Sequence, residues 1–170
     1  MPITTRPRFP RASASAMIVE RAHVADYSTR VAAFQAAIDR DDELGMILRT
    51  HILIEQLMRD VVKRVAPIVH NADMSYNVSL AVVCATGTCD IDAYHATKFL
   101  AKLRNLYAHE GFDIPEADIR KLDEHVARLG FVEIPDFTRP KSVVLRWVLF
   151  GLFIYWLVDS FGYTQPKVFL

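Results

Sequence analysis

The heptapeptide RNLYAHE, Arg104 to Glu110, gathers a permanent cation, an amide, an imidazole and a carboxylate just ahead of Gly111. Arginine stays protonated at every working pH, while histidine gains or loses a proton near neutrality. A planar guanidinium matches the oxygens of a phosphodiester, and an imidazole moves the protons that breaking an RNA backbone requires. The candidate catalytic set is therefore Arg104, His109 and Asn105, with Glu110 able to pair with either cation. Asn105 and His109 are four apart and share a helix face, so the amide can orient the imidazole or bind the same phosphate. Arg104 and His109 are five apart and stand about 140° from one another on a straight helix. They converge only where the helix frays or turns at its end, which Gly111 permits.

Spacing alone carries little weight, because Arg120 and His125 repeat it within RKLDEHVAR. That strongly charged segment reads as a solvated helix face with i,i+4 charge pairs. The first pair differs in ending a helix. Glu55 is a supporting candidate: it falls near the apolar stripe of HILIEQLMRDVV, where it either pairs with Arg59 one turn on or faces Arg104 and His109 from another helix. His51 reads as a boundary histidine. Cys84 and Cys89, with His70 or His95, lack the four well-spaced ligands of a closed zinc site, so neither a metal nor a cofactor is expected. P-loop and GxSxG patterns are absent.

Helices must position these residues. Glu20 to Ile38 runs without Gly or Pro. A second helix starts at the Asp41/Asp42 cap, with Leu44, Ile47, Leu48, His51, Ile54, Met58, Val61, Val62 and Val65 on one face, and Pro67 stops it. Ser79 to Ala85 forms a short apolar helix ended at Gly87. Asp90 or Asp92 caps a helix from Ile91 to about Tyr107. Pro115 opens the next at a first-turn position and Gly130 closes it. Ser142 caps an apolar terminal helix, residues 143–159. No two-residue alternation is long enough for a sheet, so the expected fold is all-α, an up-and-down bundle of about five to six helices.

At 170 residues and 52% hydrophobic, the chain fits a single domain with a real core, placed at 18–170. Residues 1–17 carry Arg6, Arg8 and Arg11 without an acid and read as a disordered basic arm. Twenty basic residues balance twenty acidic ones, which argues against coating nucleic acid non-specifically but leaves room for a local basic groove. Two cysteines and no secretory signal point to a reducing, cytoplasmic setting. The run from Val143 to Val158 is interrupted by Arg146 and reads as a core or dimer-interface helix, with a membrane span as the minority reading.

RNLYAHE, with Arg-x4-His and an Asn after the Arg, resembles the signature of HEPN domains, helical modules of RNA-cleaving toxins and defence proteins. The paired acids Asp41 and Asp42, the helix HILIEQLMRDVV, the short helix ending at Gly87 and the helix KFLAKLRNLYAHE together resemble the mannitol operon repressor branch of that superfamily. The likeness spans about residues 30 to 130. It implies a homodimer that brings two motifs into one cleft and cleaves RNA without metal, by attack of the ribose 2′-hydroxyl on the adjacent phosphate. Arg104 would then stabilise the phosphorane, His109 act as general acid or base, and Asn105 lend polar support. A protein partner such as an antitoxin is also implied. The competing expectation is a non-catalytic transcriptional regulator or protein-interaction module, although no helix-turn-helix or dense basic recognition face is present.

Overall fold

A computed structural model describes residues 14–39, 42–69, 74–110, 113–130 and 137–160, with side chains from residue 26 on, apart from Glu110 and residues 159–160. Six helices follow one another: α1 (Ala14–Ile38), α2 (Glu43–Val65), α3 (Tyr76–Ala85), α4 (Ile91–Glu110), α5 (Glu116–Ala127) and α6 (Lys141–Ser160). No strand occurs among the described residues, and the fold is an all-α helical bundle. The basic arm falls largely outside the described residues, and α1 begins at Ala14.

Local chemistry explains most boundaries. Asp42 caps α2, its side chain accepting from the Gly45 amide at 2.7 Å. Ser75 caps α3 through Val78, which makes that helix one turn longer than the Ser79 start expected from its apolar run. At its other end Gly87 has φ +72°, and the amides of Gly87 and Thr88 turn back to the carbonyls of Cys84 and Val83. Asp90 caps α4 through the Ala93 amide at 2.8 Å. Ser142, expected as a cap, lies inside the first turn of α6 instead; the Pro140 carbonyl takes the Val143 and Val144 amides.

The core forms chiefly where α2 meets α6, with α3 and α4 also packed on α2, and α5 closing over α4 and α6. Ile47, Ile54, Met58, Val61 and Val62 of α2 meet Leu145, Leu149, Leu152 and Trp156 of α6 within this core, all fully buried. The stripe read from the sequence is offset from this face: Leu44, Leu48 and Val65 are only half-buried, while Met46, Thr50 and Leu57 are buried. Residues 141–158 are apolar and long enough to cross a membrane by composition, yet half of that span is buried against the other helices. Lys141 fastens the start of α6, pairing with Glu43 of α2 at 2.8 Å and with Asp113 ahead of α5 at 2.7 Å.

Candidate functional site

Helix α4 continues without a break to Glu110. The motif is therefore regular helix throughout, and Arg104 and His109 diverge rather than converge within one chain. Gly111 lies outside the described residues, as does the side chain of Glu110. The buried face of α4 carries Ala93, Ala96, Leu100, Leu103 and Tyr107. Its opposite face presents Lys98, Lys102, Asn105 and His109, all exposed. These four line an open groove of about 810 Å³ together with His95 and Phe99 of α4 and His125 of α5.

Arg104 is not among the residues lining that groove. Its Nη1 donates to Asn105 Oδ1 at 2.8 Å, so it reaches the groove only through the amide beside it. Its charge acts on the other side, toward His51 of α2. His51 is buried, not at the boundary, and its ring stacks on Tyr76 with centroids 4.1 Å apart. Burial holds the His51 imidazole below its ordinary pKa, the Arg104 charge lowers it further, and Glu55 opposes both. Burial also raises the Tyr76 phenol, whose hydroxyl donates to the Thr97 carbonyl at 3.1 Å. Glu55 pairs with Arg59 at 2.8 Å, the local partner one turn on. Its field reaches His51 and Tyr76, and it makes no hydrogen bond to Arg104 or His109.

The groove adds residues that the motif did not nominate. His125, expected on a solvated face, is half-buried; its ring lies 6.1 Å from His95 and 5.7 Å from Phe99, and its Nδ1 is enclosed without a hydrogen-bond partner. Desolvation, then the charges of Arg128, His95 and Lys121, push its pKa down, against Glu124. The reason for the difference lies in packing: α5 turns Ile119, Leu122 and Val126 onto the core, which brings His125 against α4. Arg120 does behave as a surface residue, paired with Glu116 at 3.0 Å.

Among the described residues no carboxylate lines the groove. Several cations elsewhere are paired: Arg30 with Asp26 and Asp60, Arg59 with Glu55, Arg128 with Asp92, Arg146 with Asp39. Lys98 instead donates to the Tyr94 hydroxyl at 3.0 Å, and Lys102 and Lys121 lie over the Phe99 ring at 5.9 and 5.5 Å. A signal for this was present in the sequence: neither Lys98 nor Lys102 has Asp or Glu three or four residues away on either side. Among the described residues no three metal-binding side chains stand together, and both cysteines are free thiols. No family model, curated protein or solved structure matches the chain.

Proposed function

We propose that the protein is a HEPN-like homodimer that cleaves RNA without a metal ion at the groove along α4. The observation that carries this reading is that Asn105 and His109 open onto one groove lined by lysines and imidazoles, with no carboxylate lining it among the described residues. Such a groove attracts a phosphodiester and keeps competing negative charge away from it. In the proposed step the ribose 2′-oxygen attacks the adjacent phosphorus and the bond to the 5′-oxygen breaks. The 2′-hydroxyl proton passes to a base, and the departing 5′-oxygen takes a proton, leaving a 2′,3′-cyclic phosphate and a 5′-hydroxyl. His109 serves as the acid or base, Asn105 orients it, and Arg104 stabilises the charge on the phosphorane. Because Arg104 lies off the groove that His109 lines in its own chain, the reading takes Arg104 from the facing protomer of a two-fold dimer. The test is incubation of purified protein with RNA in EDTA. Cleavage that His109→Ala abolishes while the elution volume stays unchanged is expected; undiminished cutting by that variant overturns the assignment.

A second reading has its own observation. Arg104 is engaged by Asn105 and directed toward His51, as a structural motif would be. In that reading the protein is a non-catalytic regulator or interaction module of the mannitol operon repressor kind, acting through a protein partner. Wild-type protein that leaves RNA intact in EDTA while holding a protein partner supports it.

A further inference from the structure

The side chains Lys98, Lys102, Asn105 and His109 follow one another at intervals of four, three and four residues, which keeps them in a single line along α4. At about 1.5 Å per residue that line is roughly 16 Å long. It is much longer than one phosphate needs. Its polar groups are two ammonium ions, an amide and an imidazole, its two lysines have no carboxylate partner among the described residues, and no described carboxylate lines the groove beside it. The chain as a whole is neutral, so this absence of acid is local.

We propose that this face is a track for the backbone of single-stranded RNA, with Lys98 and Lys102 each taking one phosphate upstream or downstream of the position at His109. Three features give the class of ligand. A line of spaced cations fits a linear polyanion better than a compact one. The groove is open, with Asn77 of α3 and His125 of α5 flanking the α4 line, so an extended single strand can lie along it. Phe99 is buried under Lys102 and Lys121 and offers no open ring face, so the contacts of the two lysines fall on the backbone. Contact with the backbone alone positions a strand without reading its sequence. The identity of the polyanion rests on the RNA reading above, while the track itself does not depend on cleavage.

The experiment measures binding of an uncleavable 2′-O-methyl oligouridylate of about 12 nucleotides to the full chain by fluorescence anisotropy across a salt series. Lys98→Gln/Lys102→Gln is expected to weaken binding at least about tenfold. It should also flatten the slope of log K against log salt by about 1.4, two contacts at about 0.7 each for a single strand. Both positions are exposed, so the thermal midpoint should stay put. Lys63→Gln, an exposed lysine outside the groove, removes charge without touching the track and should bind as wild type. Undiminished binding by the double variant, an equal loss in Lys63→Gln, or preference for a polyglutamate peptide over the oligonucleotide each overturns the track. A chain that fails to cut RNA in EDTA but binds through Lys98 and Lys102 keeps the track and removes the nuclease reading; a chain that cuts but ignores the two lysines does the reverse.

Discussion

The guanidinium of Arg104 donates to the side-chain oxygen of Asn105 at 2.8 Å, so the motif's cation is held by the amide that opens onto the groove. If the two act as one unit in cleavage, Arg104→Ala and Asn105→Ala each slow single-turnover RNA cutting, Arg104→Ala by about 100-fold. The double variant then falls no further than Arg104→Ala alone. Losses that multiply in the double variant would show that the bond between them does not matter to the reaction.

Trp156 Nε1 donates to Thr97 Oγ1 at 2.8 Å, with both residues fully buried between α4 and α6. Thr97→Val keeps the shape and removes the acceptor, leaving an indole N–H with no partner in the core. A loss of about 1–3 kcal/mol in urea unfolding is expected, with the denaturant slope unchanged. An unaltered midpoint would mean that another group takes the proton.

His51 has a lowered pKa through burial and the Arg104 charge, opposed by Glu55. The unfolded chain binds a proton here below about pH 6.5 and the folded one resists it, so stability is full above that value and declines as pH falls toward the lowered one. His51→Phe retains a ring against Tyr76 and removes the titration. Its loss of stability between pH 7 and pH 5, followed by urea midpoints, should be smaller than wild type's; an equal loss would assign the acid sensitivity to other groups, His125 first.

Asp123 is buried without a hydrogen bond or ion pair to any described residue, and burial, then Glu124, raise its carboxyl pKa against Arg120. A raised value means that its contribution is full in acid and lost as pH rises through the folded pKa. At pH 7 the ionised group is a net cost. Asp123→Asn should therefore raise stability there by about 1 kcal/mol, roughly 2–4 °C in Tm for a chain of this size. The gain should shrink toward pH 4, and a gain independent of pH would count against ionisation as its source.

The helices were legible wherever a local signal marks an end. Asp42, Asp90, Gly87 and Gly130 stand where their cap and turn chemistry places them, because those preferences depend on a few neighbouring backbone groups. Ser142 misled for the complementary reason: a serine two residues past Pro140 resembles a cap, but the Pro140 carbonyl already begins the helix. Which face points inward was less legible. Met46 and Leu57 are buried while Leu44 and Leu48 are only half so, since the choice among apolar residues around α2 is made by α6, α3 and α4 together. For the candidate site, the motif picks out α4 and its exposed Asn105 and His109, but the groove beside them has a second wall. His125 enters it from α5, and its spacing from Arg120 gave no hint of a partner in His95, thirty residues earlier. Contacts between helices leave no trace in periodicity.

The packing of α2 against α6 also governs how the chain meets water during its synthesis. Seventy-five residues separate the end of α2 at Val65 from the start of α6 at Lys141. At about 5–20 residues per second, the apolar face of α2 emerges on the order of ten seconds before its main cover exists. During that interval α1, already made, and then α3 and α4 can shelter it in part, all of which pack on α2. A ribosome-bound intermediate that ends before α6 thus carries an open hydrophobic face, and the terminal helix completes the molecule by closing it.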